Sequence, residues 1–358
     1  MRKKILSAIA AGLITLGSFS ISTQAASRAE IAAINVQTAA DFQFWNYDSP
    51  TLQKITEFVE DVTNPNSENF IPPEDRIATF DMDGTFYCET APIYFQEAMF
   101  LYRVLEDDSY QAPKKYLDLA KKIQPKVYAK EKLTPAENKA YFEGLTAVYA
   151  GMTPEEYRAY VRNFMETNET GLTNLKRGEA FYLPMVEIIS YLTNNGFAVY
   201  IDSACGADTT RELVKDIIPI QYDRILASDF NFTSTKMGKD NPHDHFFDRH
   251  KEKIVISGKP LHDNAKTIKI FSIINQIGKK PVLAFGNSGG DSGMLEYTLQ
   301  DNKYRSMSFF VICDDTEREL GNPKRAASDT ALALKRGWNP ISMRDEFKTI
   351  YGDNVKKL

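Results

Sequence analysis

The sequence predicts an α/β fold of the Rossmann-like kind, in which helices cover both faces of a parallel sheet. Short apolar runs of strand length recur along the chain, and segments with helical periodicity fill most of the intervals between them. Polar residues follow directly where several of these runs end. Strands that alternate with helices are typical of parallel sheets. The predicted strands are residues 77–80, 197–201, 225–227, 282–285 and 307–312.

The composition is that of a globular protein. Hydrophobic residues make up 43% of the 358 residues and charged residues 25%, which excludes collagen-like, coiled-coil and largely disordered chains. The length allows one large domain or two modest ones.

The first 25 residues have the pattern of a secretory signal peptide. The basic residues Arg2, Lys3 and Lys4 precede an uncharged, mostly apolar run over 5–21, and small residues flank a cleavage point after Ala25. An uncleaved anchor is the alternative, although the run is shorter than the ~20 residues that a membrane span needs. We therefore expect export to the periplasm or the medium.

Cleavage would remove three positive charges and no negative one, and so change the formal net charge from −5 to −8. An acidic mature protein is not expected to bind nucleic acid or anionic membranes. No later stretch is apolar enough to span a bilayer.

The strand pattern is interrupted in two places. Residues 91–180 contain helical patterns without strong strand signals, and this segment is too long for a simple loop. We predict a helical cap there, inserted into an α/β core formed by 26–90 and 181–358. The second interruption is a polar segment at 229–262, which is compatible with a small hairpin.

The segment after the first predicted strand has the strongest chemical signal. In open α/β sheets, ligands bind beyond the carboxyl ends of the strands. Asp81 and Asp83 stand there, followed by Gly84 and Thr85. Asp81 is a candidate nucleophile and Asp83 a candidate general acid and base. Gly84 and Thr85 would complete a sharp loop around a phosphate. The alternative is an Asp-rich turn or helix cap.

Other candidate residues follow later strands. Ser203 would donate a hydrogen bond to a phosphate oxygen, although a serine at a strand end more often caps the next helix. Lys266 would neutralise a transferring phosphoryl group, and Lys259 competes for this role.

The Gly-rich segment 286–291 contains Asn287 and Asp291, whose oxygens suit Mg²⁺, although a Gly-rich turn is equally compatible. Together with the earlier candidates, these residues predict phosphoryl transfer.

These motifs resemble those of the haloacid dehalogenase superfamily of phosphohydrolases, over residues 44–338. The D-x-D-G-T string at 81–85 resembles the first motif, Ser203 the second and the segment 286–291 the fourth. Lys266 resembles the third, because it precedes Asn287 by 21 residues, whereas Lys259 precedes it by 28. The likeness is greatest to exported bacterial members of the phosphoserine-phosphatase-like branch.

The resemblance implies a Rossmann-like core, a helical cap and Mg²⁺-dependent hydrolysis of a small phosphate monoester. It implies that Asp81 becomes phosphorylated, that Asp83 acts as acid and base, and that Ser203 and Lys266 hold the phosphate. The implied metal ligands are Asp81, the backbone carbonyl of Asp83, Asn287 and Asp291.

Two positions depart from the family pattern. Position 287 is Asn where the family often has Asp, which removes one negative charge from the implied metal site. Serine-specific members have an acidic residue nine positions after the nucleophile, whereas Glu89 is eight positions after Asp81. Glu89 would serve a cationic substrate such as phosphoserine, phosphoethanolamine or phosphocholine, or else be a capping or surface residue.

Other interpretations stay open at this stage. A phosphotransferase, a dehalogenase or a non-catalytic binding protein could share the fold, although Asp83 speaks against a dehalogenase. Cys88 and Cys205 could form a disulfide, but free thiols are the default, as for Cys313. His243 and His245 could bind a metal, although a solvated loop is favoured.

Overall fold

The computed structural model describes residues 25–358 and contains a seven-stranded sheet. The strands have the spatial order β4-β3-β2-β1-β5-β6-β7, and all neighbours are parallel except β3 and β4. The predicted α/β fold with a mostly parallel sheet is therefore confirmed. The strands are β1 (Ile77–Phe80), β2 (Ala198–Gly206), β3 (Ile225–Ser234), β4 (Ile254–His262), β5 (Leu283–Gly286), β6 (Met307–Ile312) and β7 (Asn339–Ser342).

The helices connect these strands and also fill the long interval between β1 and β2. Those before β2 are α1 (Arg28–Ala32), α2 (Pro50–Thr63), α3 (Phe95–Leu105), α4 (Lys114–Tyr128), α5 (Pro135–Ala147), α6 (Pro154–Met165) and α7 (Leu183–Asn194). Those after it are α8 (Ala207–Val214), α9 (Thr267–Ser272), α10 (Ser292–Leu299), α11 (Pro323–Arg336) and α12 (Met343–Glu346). The segment predicted to be helical thus contains α3 to α6.

The centre of the sheet is packed so that two neighbouring loops meet. All residues of β1 and β5 are buried, as their apolar sequences require. Phe80 pairs in register with Phe285, and the two rings stack with centroids 4.2 Å apart. The backbone N–H of Asp81 donates to the carbonyl of Phe285 at 2.9 Å. This register places the loop after β1 beside the loop after β5.

The helices before β2 dock on the carboxyl end of the sheet through polar contacts. Arg158 and Arg162 of α6 form ion pairs of 2.8 and 2.6 Å with Asp208 and Glu212 of α8. The backbone of Ile256 in β4 also exchanges hydrogen bonds with the turn between α5 and α6. These contacts hold the helical segment over the ends of β2, β3 and β4.

The polar segment 229–262 forms the antiparallel pair of β3 and β4, which is longer than the small hairpin that its sequence suggested. Helix α9 ends at Ser272, and the chain continues directly as a π-helix over Ile273–Ile277. The predicted signal peptide, except Ala25, lies outside the described residues. Within residues 25–358, no helix is long and apolar enough to cross a membrane.

Candidate active site

A cavity of about 380 Å³ opens at the carboxyl ends of the central strands. It is lined by residues that follow β1 and β5, by residues within β2, β3 and β4, and by parts of α3, α5 and α9. The residues predicted from different strand ends that line it are Asp81, Asp83, Ser203, Asn287 and Asp291. The structure therefore brings these predicted residues together.

A buried lysine lies between two of the carboxylates. The Nζ of Lys269 donates to Asp81 Oδ1 and to Asp291 Oδ1, each at 2.7 Å. Lys269 is only 1% exposed. Burial alone would lower the pKa of Lys269, but the negative charges of Asp291 and Asp81 raise it above its ordinary value. The lysine is therefore a fixed positive charge in the site.

This position differs from the one that the sequence predicted. Lys266, the predicted lysine, is exposed, and so is the competing Lys259. Lys266 precedes α9, whereas Lys269 lies within it, four residues before the fully buried Ile273. Residues four apart share a helix face, so Lys269 and not Lys266 points to the sheet. The four-residue spacing between Lys269 and the apolar Ile273 is the sequence pattern that could have identified Lys269.

The carboxyl groups of Asp81 and Asp83 are held in an environment that disfavours their charge. Burial, followed by the charge of Asp291, raises the pKa of Asp81 to about 7, although Lys269 acts in the opposite direction. Burial, followed by the charge of Asp81, raises the pKa of Asp83 well above its ordinary value. The Oδ1 of Asp83 is buried and has no hydrogen-bond partner. Asp83 is thus suited to carry a proton near neutral pH.

The loop after β5 is fixed by Asp291. Its Oδ2 accepts hydrogen bonds from the N–H groups of Asn287 and Ser288, at 3.0 and 2.9 Å. The Asn287 amide lies so close to Gly84 that a Cβ at position 84 would be 1.8 Å from Asn287 Nδ2. Gly84 also has a φ of +79°, which glycine adopts without strain. Glycine at 84 thus lets the two loops approach closely.

Of the three residues predicted to bind phosphate at the strand ends, Ser203 lines the cavity, but Gly84 and Thr85 do not. Ser203 is 1% exposed, and its Oγ accepts a hydrogen bond from the Cys205 N–H at 3.1 Å. Its hydroxyl proton remains available to a ligand in the cavity. Thr85 is fully buried, and neither Gly84 nor Thr85 lines the cavity. Gly84 and Thr85 therefore contribute to the packing of the loop and not to the cavity wall.

Glu89 lines the cavity, but its charge is already paired. Its Oε1 accepts hydrogen bonds from both terminal nitrogens of Arg325, each at 3.2 Å, and from the hydroxyl of Tyr94 at 3.2 Å. The prediction that Glu89 holds a substrate cation therefore conflicts with its ion pair to Arg325.

Asn264 joins three parts of the site and was not singled out from the sequence. Its Nδ2 donates to Asp202 Oδ1 at 2.8 Å and to the carbonyl of Ser203 at 3.1 Å. Its Oδ1 accepts a hydrogen bond from Ser272 at 2.7 Å. Because Ser272 is in α9, Asn264 fixes the helix that carries Lys269 against the end of β2.

The cysteines form no disulfide among the described residues, and His243 and His245 lie in the loop between β3 and β4. Cys88, Cys205 and Cys313 are all free thiols, so the alternative of a disulfide is not realised. His243 is exposed, and His245 Nε2 lies 2.7 Å from Glu252 Oε2 in the loop between β3 and β4. This contact is an ordinary loop interaction.

The donor set fits Mg²⁺ in its chemistry. Asp81, Asp83 and Asp291 bring three carboxyl groups to one buried place, where Lys269 is the counter-charge. The orphaned Asp83 Oδ1 and the raised pKa values of Asp81 and Asp83 show that this counter-charge is insufficient. Among residues 25–358, however, no three His, Cys, Asp or Glu side chains already form a metal cluster. Asp81 and Asp291 each direct one oxygen to Lys269 instead.

Solved structures with a similar fold match most of the chain. A functionally unknown protein from Anaerococcus prevotii DSM 20548 is 14% identical, with a TM-score of 0.52 over 86% of this chain and 94% of that chain. A protein of unknown function from Bordetella pertussis Tohama I is 16% identical, with a TM-score of 0.46 over 74% and 97% of the two chains. Cytosolic 5'-nucleotidase IIIB bound to cytidine is 11% identical, with a TM-score of 0.46 over 82% and 85%.

At these identities the likeness concerns the fold alone. The α/β class with a mostly parallel sheet is observed in this chain itself. No protein-family model matches the chain, and no curated protein matches it at a significant level.

Proposed function

We propose that the protein is a phosphatase of the haloacid dehalogenase superfamily that hydrolyses small phosphate monoesters. The observation that carries this proposal is the position of Lys269, which lies 2.7 Å from both Asp81 and Asp291 in a cavity that also contains Asp83. A nucleophilic carboxylate beside a buried cation is suited to attack phosphorus, because the cation offsets the repulsion between two anions.

The chemistry follows from the positions of the two aspartates. Asp81 attacks the phosphorus and the bond to the ester oxygen breaks, which gives an aspartyl-phosphate. Asp83 gives its proton to the departing alkoxide, so the alcohol leaves neutral. Asp83 then takes a proton from water as the water attacks the phosphorus, which frees phosphate and restores Asp81. Lys269 offsets the negative charge throughout, in the role that the sequence assigned to Lys266.

A divalent ion would complete the balance of charge. Mg²⁺, when bound, would offset the charge of the phosphoryl oxygens. Asp81, the backbone carbonyl of Asp83 and Asp291 would hold it, with Asn287 beside them. Ser203 is suited to donate its hydroxyl proton to a phosphoryl oxygen. Helices α3 and α5 form one wall of the cavity, and the segment that contains α3 to α6 acts as the cap.

Further proposals concern location and specificity. The pattern of residues 1–25 supports export, with hydrolysis outside the cytoplasm. The substrates suggested by the resemblance are phosphoserine, phosphocholine and phosphoethanolamine. A phosphotransferase would use the same aspartates but would pass the phosphoryl group to an alcohol instead of water.

The test is hydrolysis of p-nitrophenyl phosphate by purified protein with Mg²⁺. Asp81→Asn removes the nucleophile and should lower kcat by at least about a thousandfold. Asp118→Asn makes the same exchange at an exposed position on α4 and should leave kcat unchanged. Chelation should abolish activity and Mg²⁺ should restore it. If Asp81→Asn retains full activity while folded, Asp81 is not the nucleophile.

A further inference from the structure

Beyond Asp81 and Asp83, the cavity continues into a space that is lined by carboxyl groups and aromatic rings. One side of this space is formed by α3 and α5, and the other by the paired strands β3 and β4. We call it the leaving-group pocket, because a phosphate at Asp81 would direct its ester group there. Its lining residues are Tyr94, Glu97, Tyr141, Phe142, Asp229, Phe230, Pro260 and His262.

The whole cavity is strongly acidic. Among the described residues, its lining includes six carboxyl groups, one lysine and no arginine. The lysine is Lys269, which Asp81 and Asp291 already bind. Arg325 lies nearby, but its guanidinium is paired with Glu89. A leaving group with a carboxylate or a second phosphate would therefore meet negative charge without a free cation to offset it.

Two of the carboxyl groups in the leaving-group pocket have no Lys or Arg partner among residues 25–358. Glu97 forms no ion pair there. Asp229 has His262 at the limit of ion-pair distance, with Nδ1 4.0 Å from its Oδ2, and the charge of Arg211 also acts on it, but Arg211 forms its ion pair with Asp208. Burial is the main reason that the pKa values of Glu97 and Asp229 are raised. A ligand cation beside them would offset this cost.

Aromatic rings form much of the remaining wall. Tyr141 and Phe230 are nearly buried, at 8% and 9% exposure, while Tyr94 and Phe142 are each 42% exposed. Aromatic faces attract ammonium groups, and the attraction is strongest where water is excluded. Carboxylates combined with aromatic walls suit an organic cation better than a neutral polyol or an anion.

We propose that the leaving-group pocket binds the positively charged end of an amino-alcohol phosphate that has no carboxylate, with Glu97 and Asp229 as the specificity-determining carboxylates. This inference rests on the proposed phosphatase function for its chemical step. It selects phosphocholine and phosphoethanolamine over phosphoserine, and it assigns the selection to Glu97 and Asp229 instead of Glu89.

The first experiment compares substrates that differ in charge but little in shape. Phosphocholine is compared with 3,3-dimethylbutyl phosphate, in which a carbon replaces the quaternary nitrogen, and phosphoethanolamine is compared with phosphoserine. We expect kcat/KM to be at least about tenfold higher for the cationic member of the first pair and for the member without a carboxylate in the second. p-Nitrophenyl phosphate reports general phosphatase activity.

The second experiment assigns the preference to residues. Glu97→Gln and Asp229→Asn should each lower the kcat/KM ratio of phosphocholine to 3,3-dimethylbutyl phosphate by about fivefold or more. Glu143→Gln removes the same charge from an exposed position of α5 that does not line the cavity, and should leave the ratio unchanged. Circular dichroism confirms that each variant is folded.

A binding measurement separates this inference from the proposed function. Calorimetry with Asp81→Asn and Mg²⁺ should show phosphocholine binding at least about tenfold more tightly than 3,3-dimethylbutyl phosphate. If this preference is found but wild-type protein hydrolyses no ester, the phosphatase proposal fails and the inference stands. If p-nitrophenyl phosphate is hydrolysed and neither kinetics nor binding favours the cation, the inference fails and the phosphatase proposal stands.

Discussion

Glu319 shows how a single buried side chain makes stability depend on pH. Its Oε1 accepts hydrogen bonds from the hydroxyls of Tyr351 and Tyr182, at 2.8 and 3.1 Å, and its Oε2 accepts one from the N–H of Leu320. The nearby thiol of Cys88 is uncharged, and Glu89 is paired with Arg325. No basic side chain offsets the charge of Glu319 within the described residues, and burial raises its pKa to about 7.

The direction of the pH effect follows from this raised value. Because the folded protein holds the Glu319 proton more tightly than the unfolded chain, the stabilisation is complete below the ordinary value near 4.5 and is lost as the pH rises through about 7. We expect Glu319 to lower the free energy of unfolding by about 3 kcal/mol between pH 4.5 and pH 8.

Urea unfolding of Glu319→Gln at both pH values measures this contribution. The variant cannot ionise at position 319 and should lose that part of the pH dependence. Glu317→Gln is the matched control, because Glu317 is exposed and only two residues away. Equal pH dependence in wild type and Glu319→Gln would show that Glu319 does not titrate in this range.

At the scale of elements, helix α9 determines which lysine enters the site. Lys269→Met should lower kcat for p-nitrophenyl phosphate by about a hundredfold to a thousandfold, because it removes the positive charge between Asp81 and Asp291. Lys266→Met removes the same charge three residues earlier, at an exposed position, and should leave kcat within about twofold. Thermal unfolding of both variants distinguishes lost catalysis from lost folding. If Lys266→Met lowers kcat much more than Lys269→Met does, then Lys266 is the phosphate-neutralising lysine.

The elements also show which parts of the fold could be predicted from the sequence. The buried strands were found because strands covered on both faces are apolar throughout, as β1 and β5 are. In open α/β sheets, ligands bind beyond the carboxyl ends of the strands. Asp81 and Asp291 follow two such strands, which is why they were correctly expected in one cavity.

Other features of the fold and site could not be predicted in this way. β4 contains Gly258 and Pro260, and several of its side chains are exposed, so it lacks both an apolar run and a regular alternation. The pairing of Glu89 with Arg325 joins residues 236 positions apart in the chain. Such a contact depends on tertiary packing and leaves no local pattern in the sequence.

At the scale of the whole molecule, the segment before α2 joins distant parts of the chain. The N–H of Ala26 donates to the carbonyl of Tyr351, and the N–H of Lys348 donates to the carbonyl of Phe44, each at 2.8 Å. Arg28 donates to the backbone carbonyls of Gly178, which follows α6, and of Leu213 at the end of α8. This segment, residues 25–49, which we call the arm, thus connects the two ends of the described chain with α8 and with the backbone after α6.

Trp45 is the main apolar anchor of this arm, and its replacement tests how far the arm stabilises the molecule. Trp45 is 4% exposed, its Nε1 donates to the Pro184 carbonyl at 2.9 Å, and its ring packs edge-on against Phe347 at 5.0 Å. Trp45→Ala should lower the free energy of unfolding by about 3–5 kcal/mol, because it leaves a cavity and an unpaired carbonyl. Tyr47→Ala is the control, since Tyr47 is 98% exposed and should change stability by less than about 0.5 kcal/mol.

Urea unfolding followed by circular dichroism reports on the whole sheet and the helices together. If the arm is part of one cooperative unit, Trp45→Ala shifts the midpoint of the entire transition and not only of a minor phase. Phosphatase activity measured across the same urea series should be lost at the same shifted midpoint, because the site belongs to the same cooperative unit. Loss of the arm alone, with the main transition and activity unchanged, would show instead that residues 25–49 are a separate and dispensable layer.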